Sequence, residues 1–136
     1  MKVKLDEGAY APERAHPTDA GLDIKSPADC YVHAGGAVII RTGVHVQIPE
    51  GTVGILMSKS GLNVKFGITS EGVIDEGYTG EIVVKLYNRS SAGYAINKGD
   101  KITQLLVVPV LYEDVYIVDE IDGKERGNLG FGSTGR

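Results

Sequence analysis

In Gly72-Val73-Ile74-Asp75-Glu76-Gly77-Tyr78-Thr79-Gly80, two β-forming residues run into an acidic pair and a glycine, and an aromatic leads out through Thr-Gly. The run that follows alternates Ile82, Val84 and Leu86 with Glu81, Val83, Lys85 and Tyr87, the period-two signature of a strand with one face in a core. Turn formers between two β runs predict a hairpin. Such a hairpin sets one carboxylate, Asp75, beside one aromatic, Tyr78, while Gly72, Gly77 and Gly80 leave room for a ligand or backbone to come close. Alone, the stretch allows two readings: a tight turn bearing a solvated acid, or a small site built largely from backbone.

On its N-terminal side, Val53 to Met57 reads as a buried strand running into Ser58-Lys59-Ser60-Gly61 and a single helical turn. Hydroxyls, a cation and a glycine at such a junction suit an anion, because successive backbone N–H groups there form a concave site. Capping by Ser58 or Ser60 is the plainer alternative. Earlier still, residues 2–5 read as an edge strand and 11–18, with two prolines, as loop. Leu22 and Ile24 alternate with Asp23, which places the acid on the opposite side, either solvated or functional. Val32, Val38 to Ile40 and Val44 to Pro49 are short strands, with Gly35-Gly36 and Thr42-Gly43 as turns. On the C-terminal side, Ile102 to Val110 is apolar on both faces apart from Gln104 near its start. A buried amide must be hydrogen-bonded, so Gln104 is a brace or a ligand contact. Val115 to Val118 reads as a last strand. Helical periodicity nowhere exceeds one or two turns, so an all-β fold is expected.

Composition narrows the function. A chain of 136 residues with 42% hydrophobic residues is enough for one domain with one core. Its net charge of −4 argues against a nucleic-acid partner, which wants a basic face. No apolar run approaches the length of a membrane span and the N-terminus lacks a signal core, so a cytoplasmic protein with no membrane partner is expected. The single cysteine, Cys30, reads as a small core residue, and His16, His33 and His45 lack metal-ligand spacing. The tail Arg126-Gly127-Asn128-Leu129-Gly130-Phe131-Gly132-Ser133-Thr134-Gly135-Arg136 interleaves glycine with hydroxyls, two arginines and an aromatic. It reads either as a frayed end or as a mobile arm that wraps a phosphate chain and stacks a planar ring.

Five stretches stand in order: Ala20-Gly21-Leu22-Asp23, Ser58-Lys59-Ser60-Gly61, Gly72 to Gly80, Gly99-Asp100-Lys101-Ile102-Thr103-Gln104, and the glycine-rich tail. The series resembles the five ordered motifs of the trimeric dUTPase family, the dUTP diphosphatases, across essentially the whole chain. The resemblance implies a distorted jelly-roll β-barrel, with a body at about 2–121 and a C-terminal arm at about 122–136. It also implies a homotrimer with three shared active sites. The implied reaction is hydrolysis of dUTP to dUMP and pyrophosphate with Mg²⁺, which keeps uracil out of DNA and supplies dUMP for thymidylate synthesis. Carried over by position, Asp75 holds the attacking water, and Gly72, Val73, Ile74 and Asp75 read the uracil. Tyr78 lies beneath the deoxyribose; Ser60, Gly61 and Gln104 bind phosphates. Arg126, Gly132, Ser133 and Thr134 close over the far phosphates, with Phe131 over the uracil. Asp23 supports the catalytic face and the hydrated metal, for which no direct protein ligand is implied. Val83 is counted with the substrate-binding residues. Lys59 stands where the family usually has arginine, keeping a cation for phosphate without the bidentate fork. Ser58 stands where proline is common, and Thr69 where many bacterial members carry asparagine at the uracil pocket. Two rivals remain: the related dCTP deaminase, whose acid-and-arginine motif is not visible here, and a dUTPase fold used as a regulatory binding protein.

Overall fold

The computed structural model describes residues 1–123. Ten strands and one short helix follow in the order β1 (Lys2–Leu5), β2 (Leu22–Lys25), β3 (Cys30–Val32), β4 (Ala37–Gln47), β5 (Thr52–Met57), α1 (Ser60–Phe66), β6 (Ile68–Thr69), β7 (Glu71–Ile74), β8 (Glu81–Asn88), β9 (Tyr94–Ile96) and β10 (Lys101–Pro109). The fold is all-β, as expected. The strands pair into two four-stranded sheets, β1-β4-β8-β6 and β2-β10-β5-β7, and a two-stranded sheet, β3-β9. Among the described residues these ladders do not join into a closed barrel. None of the described helices is long and apolar enough to cross a membrane.

The core lies between the two large sheets. Alternation in β8 sends Ile82, Val84, Leu86 and Asn88 inward, where they meet Ile24, Val44, Leu56 and Leu105. Each such aliphatic side chain contributes on the order of 1.5–3 kcal/mol when fully buried. Gly54 of β5 is part of this packing: a Cβ there would stand 2.9 Å from Ile48 Cδ1 and 3.2 Å from Ile74 Cβ. The buried amide of Asn88 donates to the carbonyls of Val32 and Ala92 at 3.2 and 2.7 Å.

Three expectations from the sequence are corrected. Gly72 to Gly80 does not close a hairpin. β7 pairs with β5, and β8 with β4 and β6, so the stretch carries the chain from one sheet to the other. Turn residues fix where a chain reverses, but each strand here finds its partner among distant segments. Thr42-Gly43 is likewise no turn but an irregularity inside β4, where the register to β8 shifts between Arg41 and His45. Gly43 takes φ 67°, and its N–H donates to Glu81 Oε1 at 2.8 Å. Lastly, Val115 to Val118 forms no strand. β-formers alone do not make a strand without a neighbour to bond, and Ile117 is 99% exposed.

The helix runs for about two turns, one more than the sequence suggested at this place. Ser58 does not cap it. Its hydroxyl donates to Ser70 O at 3.0 Å and accepts from Ser70 N at 2.9 Å, tying the end of β5 to the chain just before β7. At the C-terminus, Gly67 takes the left-handed conformation (φ 67°) and its N–H reaches back to Asn63 O, a glycine cap.

Candidate active site

The sheet β2-β10-β5-β7 positions two separate groups of the residues singled out above. Its outer edge is β7, which hands the chain directly to Asp75. In the turn that follows, Tyr78 N donates to Asp75 O at 3.2 Å. Tyr78 folds back so that its hydroxyl donates to Glu81 O at 2.9 Å. A Cβ on Gly80 would clash with the hydroxyl end of the Tyr78 ring, so glycine is what lets the ring lie there. Glu76 braces the same turn from outside, accepting from Gly51 N at 2.8 Å and from the Tyr112 hydroxyl at 2.7 Å. Those two bonds hold the Glu76 carboxyl below its usual range, with Tyr112 the larger influence. Asp75, Glu76 and Tyr112 line a cavity of about 450 Å³ together with Thr52 and Val53.

The second group lies on β2, β10 and the end of β5. Asp23 is the register partner of Gln104, and Gln104 of Met57. Gln104 Nε2 donates to Ser58 O at 3.1 Å, and any Cβ on Gly21 would overlap the Gln104 amide. A cavity of about 400 Å³ is lined by Gly21, Asp23, Ser58, Lys59 and Gln104. Asp23 is 5% exposed rather than solvated. Lys59 Nζ pairs with its Oδ1, and Lys101 Nζ stands 2.8 Å from Oδ2. Burial pushes the Asp23 carboxyl up, but the hydrogen bonds from Lys101 and Lys59 outweigh it and hold the group below its usual range. The network continues through Glu13, 3.6 Å from Lys101 and 2.7 Å from Lys25.

Within one chain these groups stay apart: the cavity of Asp75 shares no lining residue with the cavity of Lys59 and Gln104. Ser60 and Gly61 open α1 on the exposed surface near the second cavity. Gly72 lies opposite Leu56 in the β5–β7 ladder, Val73 faces solvent and Ile74 enters the core. Val83 is a surface residue of β8. Thr69 Oγ1 accepts from Arg89 Nε at 3.2 Å. Arg126, Phe131, Gly132, Ser133 and Thr134 lie outside the described residues. Among the described residues, no three His, Cys, Asp or Glu side chains gather as a metal cage.

Sequence reasoning missed Lys101 and Glu13 around Asp23, the Glu76–Tyr112 brace, and a contact of His45 with Asp6 and Thr79. Asp6 and His45 are 39 positions apart, and only the pairing of β1 with β4 unites them. Lys101 carried a faint signal, since it sits three residues before Gln104 in a stretch already marked.

A sequence profile described as dUTPase matches residues 7–135. The chain belongs to the dUTPase family. It is 43% identical over 133 residues to the deoxyuridine 5'-triphosphate nucleotidohydrolase of Paramecium bursaria Chlorella virus 1, covering 97% of this chain and 94% of that protein. The dUTPase of Staphylococcus bacteriophage 80alpha, solved with dUPNHPP, superposes with a TM-score of 0.93 at 34% identity, covering 99% of this chain and 98% of the other. A mutant dUTPase of phage phi11 of S. aureus, whose structure details the coordination of a structural Mg(II) ion, superposes with a TM-score of 0.80 at 33% identity, covering 88% and 96%. As a dUTPase, the chain is an enzyme of the dUTP diphosphatase class.

Proposed function

We propose that this dUTPase hydrolyses dUTP to dUMP and pyrophosphate by attack of an Asp75-oriented water on the α-phosphorus, in active sites shared between subunits of a homotrimer. The observation that carries the reading is the contrast between the two aspartates. No ion pair among the described residues engages Asp75, whereas two lysines hold Asp23. A carboxylate without a fixed partner can orient and deprotonate water, while one held by two cations cannot readily give up its charge to that task.

Selectivity follows from the edge strand. The outer edge of β7 offers backbone N–H and C=O groups of Gly72 to Ile74 for the uracil. Cytosine presents a reversed donor pattern at two positions, and leaving buried polar groups unpaired is costly. Tyr78, folded back against Gly80, packs beneath the deoxyribose in this reading and leaves no space for a 2′-hydroxyl. Ser60, Gly61, Lys59 and Gln104 receive phosphates from the neighbouring subunit's nucleotide, and Arg126, Phe131, Gly132, Ser133 and Thr134 complete the site. Mg²⁺ fits this donor set: held by triphosphate oxygens and waters it needs no cage of side chains, and when bound it neutralises charge on the phosphates. Asp23 keeps Lys59 at the rim of the phosphate cavity and supports that hydrated face.

Exposed apolar surface and separate cavities support assembly. Ile39, Val73, Val83, Leu111 and Ile117 are all exposed large apolar residues, and within one chain the two cavities share no lining residue. In the cytoplasm such a trimer would lower dUTP, limiting uracil in DNA, and supply dUMP. A panel of nucleoside triphosphates assayed for pyrophosphate release with Mg²⁺ tests the reading. dUTP should be hydrolysed far faster than dCTP, dTTP or UTP. Comparable release from dCTP would contradict the uracil assignment, and ammonia release from dCTP would indicate a deaminase.

A further inference from the structure

His45 lies in β4, facing the turn that carries Tyr78, and is not among the residues assigned to the site above. Its Nδ1 stands 3.0 Å from Thr79 O and its Nε2 3.1 Å from Asp6 Oδ2. A backbone carbonyl only accepts hydrogen bonds, and so does an ionised carboxylate. A neutral imidazole has one N–H and one lone pair, so it can satisfy only one of these partners and turns its lone pair on the other. The doubly protonated ring satisfies both. The side chain is only 18% exposed, which limits replacement of either partner by water.

We propose that His45, as an imidazolium, is a positioning residue for the nucleotide-reading turn, clasping Thr79 to Asp6 and so fixing the adjoining Tyr78 for the deoxyribose. Thr79 links Tyr78 to Gly80, and the ring of Tyr78 covers Gly80 and bonds Glu81 O. A shift at Thr79 therefore moves the sugar platform directly. The other end of the clasp is equally fixed: Asp6 N donates to Gly43 O at 2.9 Å, within the irregular part of β4. Charged groups face the ring from both flanking strands. Lys4 is its register partner on β1 and Glu81 its partner on β8. Lys4 is drawn to Asp6 at 3.6 Å, and Glu81 is engaged by Arg41 and by Gly43 N–H. Bonding to Thr79 O and then to Asp6 outweighs Lys4 and desolvation, and holds the ring's pKa above the ordinary imidazole value. The clasp is thus complete below about pH 6.5, the ordinary imidazole range, and is lost as pH rises through the folded-state pKa.

The proposal rests on the dUTP reading above, so its test has an arm that does not use activity. Ring ¹⁵N and ¹³C resonances of His45 in the full chain are followed from about pH 5.5 to 8.5, together with the amides of Tyr78 to Glu81. The expected result is a ring protonated on both nitrogens at the acid end, a raised pKa, and turn amides that shift with the same midpoint. In parallel, kinetics of wild type, His45→Phe and His45→Asn are compared. Wild-type KM for dUTP should rise about five-fold across the range, the worth of one net hydrogen bond, with kcat nearly constant. His45→Phe should show the high KM throughout. His45→Asn, which reaches Thr79 without titrating and cannot span to Asp6, should show a KM that does not change with pH. A ring already neutral at about pH 6, or KM profiles that coincide in wild type and His45→Phe, would overturn the proposal. Failure of wild type to hydrolyse dUTP would sink the functional reading instead, and the ring titration would still decide whether the clasp exists.

Discussion

Asp75 and Asp23 issue from the same sheet, one just after its edge strand β7 and the other within β2 at the opposite edge. Their surroundings differ in nearly every respect. Asp23 is buried, is the register partner of Gln104 and is a negative charge fixed between two lysines. Asp75 is exposed in a turn held by Glu76, by the Tyr78 hydroxyl and by its own carbonyl, which accepts from Tyr78 N. The same side chain becomes a structural ion in one place and a candidate base in the other, and the difference is set by what the adjoining strands present. Lys59 illustrates the coupling. Its ammonium, at the edge of the cavity it lines with Gln104, is paired with Asp23.

The comparison is broken most sharply by changing its reactive half. Asp75→Asn should keep the fold and dUTP binding, yet lower kcat by roughly 10²–10⁴, the usual worth of a general base. Turnover within a few-fold of wild type would move the base elsewhere. Deleting residues 126–136 should cost turnover on a similar scale while melting temperature and assembly state stay near wild type. A truncated chain that fails to assemble would make the tail structural. The buried half answers in stability. Asp23→Ala leaves Lys59 and Lys101 facing each other with no anion between them. It should destabilise by about 1–3 kcal/mol, less than a fully buried pair because both lysines are partly exposed. Because the Asp23 pKa is lowered, its stabilisation is present above about pH 4, the range of a free carboxyl, and lost as pH falls through the folded-state value. Wild type and Asp23→Ala should therefore converge in acid denaturation, and a constant gap down to the lowest pH would refute the ion-pair account. The smallest effect belongs to the brace. Tyr112→Phe removes one exposed hydrogen bond to Glu76 and should cost under about 1 kcal/mol in a denaturant melt, with turnover nearly unchanged.

Much of this arrangement was legible in the residues. β8 could be read from strict alternation, and a helical segment after Ser58-Lys59-Ser60-Gly61 from its place behind β5, though at one turn rather than two. What escaped has a common physical cause: register between distant strands. The two β runs flanking Asp75 look like a hairpin locally, but β7 is taken by β5 and β8 by β4. Thr42-Gly43 looks like a turn because Gly43 needs a positive φ, a need that an irregularity within a strand meets equally well. The solvated reading of Asp23 failed because Lys59 and Lys101 reach it from β5's end and β10. Val115 to Val118 has the composition of a strand, but among the described residues no strand lies beside it.

The central claim is that Asp75 of one subunit works on a nucleotide whose phosphates are held by Lys59 and Gln104 of another. Mixed assembly tests it directly. Asp75→Asn and Gln104→Leu chains, each purified as an inactive homotrimer, are unfolded together in equal amounts, refolded and assayed with dUTP. If sites are shared, about a quarter should combine an intact Asp75 with an intact Gln104, from one half times one half, and activity should return to about that fraction of wild type. A mixture no more active than its two components assayed separately would put both residues in the same chain's site and contradict the account.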